Sequence, residues 1–218
     1  ANNNPNNASV LLGNGNGTFG PKTDFTTSRS TFSVALGDVN GDGRLDIITA
    51  NYTYGNTSVL LGTGGSAITA TFSPQQTFAA GNGAQSVALG DVNGDGKLDM
   101  VTANGGNSTA SVLLGNGNGT FQTQGTFSTG NTPLSVTLGD VNGDGRLDII
   151  TANRDSSTVS VLLGNGNGTF QTQFTFSTGS NSSPRSVTLG DVNGDGKLDI
   201  ITANNNDSNA SVLLGNGN

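Results

Sequence analysis

Four copies of one nine-residue phrase carry the residues of this chain that could do chemistry. The phrase reads D-V-N-G-D-G-[KR]-L-D and occupies residues 38–46, 91–99, 140–148 and 191–199. Oxygen-bearing side chains stand at its first, third, fifth and ninth places, and glycines at the fourth and sixth let the backbone curl. Ca²⁺ collects six to eight oxygens at roughly 2.3–2.6 Å from a flexible loop of this kind. The phrases hold 12 of the 15 acidic residues, so the acid is concentrated where a cation would bind.

A plain turn is the alternative interpretation of the phrase, because Asn-Gly and Asp-Gly are turn formers. A turn does not require three neighbouring carboxylates, which at about 4 Å repel one another by roughly 1 kcal/mol in water. We therefore predict a metal site in each phrase. Ca²⁺ is favoured over Mg²⁺, which prefers water ligands and strict octahedra, and the lack of His and Cys disfavours transition metals. We expect the Lys or Arg at the seventh place to point to solvent and to offer only its carbonyl.

The side chains that usually perform acid–base and nucleophilic catalysis are missing from this sequence. The chain has no His, Cys or Glu, and no Ser has a His base to activate it. The three carboxylates outside the phrases, Asp24, Asp155 and Asp207, share no position within the repeat. The sequence therefore predicts a protein that is not an enzyme.

Composition excludes several classes of partner. The formal charge is −7, and four Ca²⁺ ions would bring it to about +1, so the acidity does not indicate a basic partner. Only eight Lys and Arg are present, four of them inside the phrases, which argues against nucleic acid. No apolar stretch approaches the length of about 18 residues that spans a membrane, so we expect no membrane insertion.

The elements that must position the phrases are short strands. Only 32% of the 218 residues are hydrophobic and 35 are Gly, which would also suit a disordered polymer. The apolar residues, however, recur in β-branched runs, and the phrases begin at 38, 91, 140 and 191. The repeat length is therefore about 50 residues, and repeats of this length with strand signals are typical of propeller blades. In the third unit we predict strands at 135–139, 147–152, 160–163 and from Thr169 to Phe174, continuing towards Phe176.

The sequence thus predicts an all-β fold, a single β-propeller domain over 1–218 built from blades of about 50 residues with four antiparallel strands each. The predicted segments are a partial blade at 1–31 (strands 3 and 4), blades at 32–80, 81–129 and 130–180, and a partial blade at 181–218 (strands 1 to 3). The terminal blade would be completed by both chain ends or by a neighbouring chain. Six phenylalanines are expected to pack between neighbouring blades: Phe72, Phe78, Phe121, Phe127, Phe170 and Phe176.

The run SVTLGDVNGDGRLDIITAN from Ser135, followed by SVLLGNGNGTF, resembles the FG-GAP or VCBS repeat, a calcium-loop propeller repeat also found in the integrin α-chain head. The resemblance covers the whole chain, although such propellers usually have about seven blades and this chain holds four phrases. It implies four Ca²⁺ sites, each with side-chain ligands at places one, three, five and nine and the carbonyl of place seven. The implied ligands are Asp38, Asn40, Asp42, Arg44 and Asp46; Asp91, Asn93, Asp95, Lys97 and Asp99; Asp140, Asn142, Asp144, Arg146 and Asp148; Asp191, Asn193, Asp195, Lys197 and Asp199.

Two non-enzymatic functions fit these features. The first is a structural or adhesive module of an extracellular or cell-surface protein, where millimolar calcium would fill the loops. The second is a calcium-dependent lectin, because some propellers of this repeat type bind sugars between blades. Sugar sites generally use an aromatic platform, and this chain has no Trp and only Tyr52 and Tyr54. The structural role is therefore favoured, with a glycan or a cell-surface protein as the ligand to be considered.

The two ends of the sequence are near-duplicates. Residues 1–16 and 203–218 agree at 14 of 16 positions, so strand ASVLL occurs at 8–12 and again at 210–214. An unpaired edge strand invites pairing with another chain. We expect either self-association through the terminal strands, up to a filament, or an excerpt of a longer repeat array.

Overall fold

The computed structural model describes residues 1–2, 6–66 and 69–217, which contain strands and no helix. Sheet 1 consists of β1 (Asn7–Val10) and β2 (Thr23–Thr26), and sheet 2 of β3 (Thr31–Gly37), β4 (Asp46–Asn51), β5 (Asn56–Leu60) and β8 (Gln76–Ala79), with a small hairpin of β6 (Gly62–Ser66) and β7 (Thr69–Phe72) between β5 and β8. Sheet 3 consists of β9 (Ala84–Gly90), β10 (Asp99–Asn104), β11 (Thr109–Leu113) and β12 (Gly125–Ser128). Sheet 4 consists of β13 (Pro133–Gly139), β14 (Asp148–Asn153), β15 (Thr158–Leu162) and β16 (Phe174–Ser177), and sheet 5 of β17 (Pro184–Gly190), β18 (Asp199–Asn204) and β19 (Asn209–Leu213). Among the described residues, no helix could span a membrane.

All sheets are antiparallel and follow chain order, which is the outcome that short loops between consecutive strands produce. In sheet 3, Asp99 lies opposite Gly90 and Asn104 opposite Thr109. The second strand of each of sheets 2 to 4 is buried along its whole length, because it has a strand on either side and a sheet on either face. The predicted all-β fold is confirmed.

The core lies between successive sheets rather than within one of them. The first strands β3, β9, β13 and β17 lie beside one another in that order. One apolar cluster forms between sheets 2 and 3, around Val59 and Met100, and another between sheets 3 and 4, around Val112 and Ile149. A third lies between sheets 4 and 5, around Ile150 and Val187. Each sheet thus buries its apolar faces against its neighbours, as stacked repeats do.

Aromatic contacts between neighbouring sheets confirm most of the expected phenylalanine packing. Phe78 and Phe121 meet edge to face with ring centroids 5.3 Å apart, and Phe127 and Phe170 repeat this arrangement at 5.3 Å. Phe72 packs in the same way on Phe25 at 4.8 Å. Edge-to-face pairs are the favoured geometry of aromatic rings.

One strand prediction was wrong. The sequence predicts that the fourth strand of the third unit begins at Thr169, but β16 begins at Phe174. Residues 164–170 instead form a separate hairpin, closed by a bridge between Gly164 and Phe170. Asn165 donates both a backbone and a side-chain hydrogen bond to Thr169, so Thr169 belongs to this hairpin and not to the strand.

Candidate metal centres

The four phrases form the connections between the first and second strands of sheets 2 to 5. In sheet 2 the loop leaves β3 at Gly37 and enters β4 at Asp46. Gly41 and Gly43 have φ angles of 74° and 80°, and the equivalent glycines of the other loops have the same sign. Residues with a Cβ rarely adopt such angles, so glycine at these two places is what lets the loop curl.

The carboxylate at the first place organises the loop. Asp38 Oδ1 accepts the backbone N–H groups of Gly41 at 2.7 Å and Asp42 at 3.2 Å, and its Oδ2 accepts that of Gly43 at 2.7 Å. The Gly43 bond is the main reason why the pKa of Asp38 lies below its ordinary value. Asp91, Asp140 and Asp191 accept the equivalent three bonds.

The oxygens of the first, third and fifth places lie around one segment of backbone. The N–H of Asp42 points at both Asp38 Oδ1 and Asn40 Oδ1, which is 3.1 Å away. Asp42 Oδ1 in turn accepts the N–H of Arg44 at 2.9 Å. The loop therefore gathers oxygen atoms of the type that hard cations prefer, and their role as metal ligands stays a prediction.

The carboxylate at the ninth place is buried. Asp46 is 0% exposed; its Oδ2 accepts the N–H of Val39 at 2.8 Å and its Oδ1 that of Gly62 at 2.7 Å. Burial raises the pKa of Asp46, the two N–H bonds oppose this, and the charges of Asp42 and Asp38 raise it further. Asp99 and Asp148 show the same raised pKa with the same causes, and Asp199 makes the same pair of bonds.

The residues at the seventh place are exposed, as predicted, but their side chains also make polar contacts that the sequence analysis did not predict. Arg44 Nη1 lies 3.3 Å from Asp42 Oδ2, and Lys97 Nζ lies 3.3 Å from Asp95 Oδ2. Lys197 instead donates to the carbonyl of Asn216 at 2.8 Å. A half-exposed cation beside the fifth-place carboxylate offsets part of the charge that the phrase concentrates.

Within residues 1–2, 6–66 and 69–217, no three carboxylates meet closely enough to form a metal cage by themselves. Oxygens of the acidic side chains accept backbone N–H groups or lie beside the Lys or Arg side chain at the seventh place. A carboxylate has about four lone-pair positions, however. The first-place Asp38 uses three of them for N–H bonds and the ninth-place Asp46 uses two, so each keeps a position for a metal. The donor set is oxygen alone, which fits Ca²⁺ rather than a transition metal.

A buried amide at the other end of each second strand is a feature that the sequence analysis missed. Asn104 Oδ1 accepts the hydroxyl of Thr102 at 3.0 Å, and its Nδ2 donates to Ser111 Oγ at 2.8 Å. The repeated Thr-Ala-Asn after each phrase was the signal available. Asn51, Asn153 and Asn204 make equivalent bonds.

The three carboxylates outside the phrases lie apart from one another, one in a strand and two in turns. Asp24 in β2 binds Lys22 and Ser9, and Asp207 lies in the turn between β18 and β19. Asp155, after β14, pairs with Arg154 at 2.7 Å and accepts the hydroxyl of Thr132 at 2.6 Å. These bonds lower the pKa of Asp155 to about 2.

The fold and its loops define an all-β repeat protein in which the same acidic loop returns in successive sheets. Models of the FG-GAP-like repeat match residues 1–49, 38–102, 91–151 and 140–202, so the chain belongs to the FG-GAP-like repeat family. No curated protein matches the sequence.

Solved structures share the fold at low sequence identity. A lectin of Agrocybe aegerita that recognises non-reducing terminal N-acetylglucosamine has a TM-score of 0.61 and 21% identity, over 96% of this chain and 58% of the lectin. A protein from Lactobacillus plantarum has a TM-score of 0.54 and 14% identity, over 94% of this chain and 60% of its own. A functionally unknown protein from Desulfotomaculum acetoxidans has a TM-score of 0.52 and 12% identity, over 100% of this chain and 79% of its own. The chain therefore spans about three fifths of the first two proteins.

Proposed function

We propose that this chain is a non-enzymatic, calcium-binding β-propeller module of an extracellular or cell-surface protein, in which each four-stranded sheet is a blade. The supporting observation is the loop built four times around a first-place aspartate, with an amide and two more carboxylates nearby. Burial, and after it the charges of Asp42 and Asp38, raise the pKa of Asp46, and a cation that binds these oxygens would relieve the charge repulsion. Weak loop sites of this kind are filled where calcium is millimolar, which favours the extracellular location.

The role that we assign to calcium is structural. The loop links the first two strands of a blade, and its ninth-place aspartate also binds the residue that follows the third strand. Holding this aspartate ionised and in place would stabilise three strands together. Binding confined to the folded state raises stability by mass action.

Thermal unfolding tests this role directly. The midpoint in millimolar calcium should lie well above the midpoint with excess chelator, and magnesium at the same concentration should give a smaller rise. The Asp207→Asn variant is the control and should keep the same rise with calcium, because Asp207 is an exposed carboxylate outside the phrases. Equal midpoints with calcium and with chelator would contradict the proposal.

A calcium-dependent lectin is the second candidate function. The observation that favours it is an exposed aromatic pair: the rings of Phe32 and Tyr52 lie 5.5 Å apart and are 48% and 41% exposed. Such a surface could stack against a sugar ring, and the fold is shared with an N-acetylglucosamine-binding lectin. A glycan array read with calcium and with chelator tests this, with Tyr52→Ala as the site variant and Tyr54→Ala as the control. Binding that survives Tyr52→Ala would contradict this site.

We also propose that the module associates with itself through its terminal strands. Among the described residues, β1 pairs with β2 and is bridged by Asn2 at Asn7, and β19 is the outer strand of sheet 5. Unpaired strand edges are templates for strand addition. A structural module that joins its ends would build rings or filaments at a surface.

A further inference from the structure

Neighbouring sheets meet through a repeated leucine-on-glycine contact. A Cβ atom placed on Gly37, at the end of β3, would lie 2.7 Å from a methyl carbon of Leu89 and 2.8 Å from one of Leu98. Two leucines of one sheet therefore cover a glycine of the preceding sheet. The contact recurs at Gly90 with Leu138 and Leu147, and at Gly139 with Leu189 and Leu198.

One glycine and one leucine pair of this kind remain without a partner in the chain. Gly190, at the end of β17, is the fourth such glycine, and a Cβ atom placed there would meet nothing within 4 Å. Leu36 and Leu45 form the fourth leucine pair, and they are 58% and 60% exposed. Sheet 5 thus presents an uncovered glycine, sheet 2 presents an uncovered leucine pair, and the two surfaces are complementary.

A second repeated contact joins the hairpin after a third strand to the preceding sheet. The N–H of Gly119 donates to the carbonyl of Val39 at 3.1 Å, and a methyl carbon of Leu61 would lie 2.8 Å from a Cβ on Gly119. Phe121 of the same hairpin packs on Phe78. The next hairpin repeats these contacts through Gly168 with Val92 and Leu114, and through Phe170 with Phe127.

The hairpin after β1 leaves the equivalent contacts unmade. A Cβ on Gly17 would meet nothing within 4 Å, and Phe19 is 66% exposed. On the receiving side, Phe176 of sheet 4 is 46% exposed and lines a cavity of about 390 Å³ between sheets 4 and 5. Other apolar side chains of this cavity are Val141, Leu163, Phe174, Ile200 and Leu213.

We propose that this cavity receives Phe19 of a second copy of the chain, so that the molecules associate head to tail. Phe19 of one copy packs on Phe176 of the other, as Phe121 packs on Phe78 within one chain. Leu36 and Leu45 of the first copy cover Gly190 of the second. Two independent repeated contacts, one polar and aromatic and one aliphatic, are therefore completed by a single docking event.

The terminal strands fit the same junction. β1 and β19 share the sequence Asn-Ala-Ser-Val, and β2 pairs with β1 so that Asn7 faces Thr26 and Val10 faces Thr23. In the junction, β2 of one copy can therefore pair in the same register with its own β1 or with β19 of the other copy. With β19 in the third-strand place, or with β1 in that place instead of β19, the two chains form a four-stranded sheet.

The number of sheets indicates a ring of two copies. Each copy contributes sheets 2, 3 and 4, and each junction makes one further sheet, so two copies give a ring of eight. Propellers typically have about four to eight blades, so one chain closed on itself with four sheets would also lie in this range. Gly190 and Phe19 of the same chain, however, remain uncovered in the structure, so closure requires a second copy. A head-to-tail contact that closes forms a ring rather than a filament. This inference rests on the proposed propeller architecture and self-association, but not on calcium.

Light scattering after size-exclusion chromatography tests the junction with the full chain. The wild-type protein should have twice the 21.8 kDa mass of one chain. Phe19→Ser and Gly190→Leu should each reduce the mass to one chain, because one removes the aromatic anchor and the other blocks the leucine pair. Tyr54→Ser, which removes an aromatic side chain that is 60% exposed and lies outside the junction, should keep the double mass.

A mixture of the two variants separates docking from self-closure. The Gly190→Leu chain still carries Phe19, and the Phe19→Ser chain still carries Gly190, so mixing them should restore one junction and a two-chain mass. A wild-type chain that is monomeric at high concentration, a mixture that stays monomeric, or a ladder of larger masses would each overturn the proposed ring. Calcium binding and circular dichroism on the same samples distinguish a failure of the proposed junction from a failure of the proposed function. A monomer that still binds calcium and still has its β-sheet spectrum overturns the association alone.

Discussion

The Asp99 carboxylate accepts the backbone N–H of Gly115 at 2.8 Å, across 16 residues of chain. Its second oxygen accepts the N–H of Val92 at 2.9 Å, and the side chain is 0% exposed. One aspartate of the acidic phrase thus links the acidic loop to Gly115, two residues after the third strand β11. The ninth place is structural as well as a candidate ligand.

Asp99→Asn should destabilise the protein even in chelator. An asparagine side chain has one acceptor oxygen in place of two, so one buried N–H, of Val92 or Gly115, is left unpaired at a cost of about 1–3 kcal/mol. Asp95→Asn, four residues earlier in the exposed part of the loop, should cost less than about 0.5 kcal/mol. Urea unfolding of both variants in chelator measures the difference. Equal losses of the free energy of unfolding would contradict a structural role for Asp99.

Asn104→Ala should loosen sheet 3 from the other end of its second strand. The substitution removes the acceptor of the Thr102 hydroxyl and the donor to Ser111, both in the buried interior, and should cost about 1–3 kcal/mol. Asn107→Ala, in the exposed turn that follows, is the control and should cost less than about 0.5 kcal/mol. The same urea experiment applies, and a loss at Asn104 no larger than at Asn107 would show that the amide network is dispensable.

The pKa of Asp155 should be measurable as about 2 by NMR titration of its carboxyl carbon. The Arg154 guanidinium is the main cause, followed by the Thr132 hydroxyl. Because the pKa is lowered on folding, the stabilisation is present above the ordinary value of 3.8 and is lost as the pH falls through about 2. The pair is exposed, so its contribution is small. Arg154→Gln should raise the pKa towards 3.8, with Arg185→Gln as the control, and no change would contradict this pairing.

The sequence predicts the loops better than it predicts their internal contacts. Period, turn residues and the acidic phrase place Asp38 and Asp46 between two strands, because strand alternation and glycine φ angles are local properties. The partner of Asp46 is Gly62, beyond the next strand, and no local pattern indicates that pairing. Arg44 is exposed, as the sequence predicts, but its ion pair with Asp42 was missed because Asp42 was considered only as a metal ligand. The leucine-on-glycine contacts depend on how two sheets pack, which a single repeat does not reveal.

Calcium stoichiometry tests the central claim most directly. Isothermal titration of chelator-treated protein with CaCl₂ should give four ions per chain, and Asp95→Asn should reduce the number to three because it removes a fifth-place carboxylate from one loop. The Asp207→Asn chain should still bind four, since that carboxylate lies outside the phrases. Four ions for wild type and control with three for Asp95→Asn is the result that we predict, and no binding at millimolar calcium, or four ions in all three proteins, would contradict it.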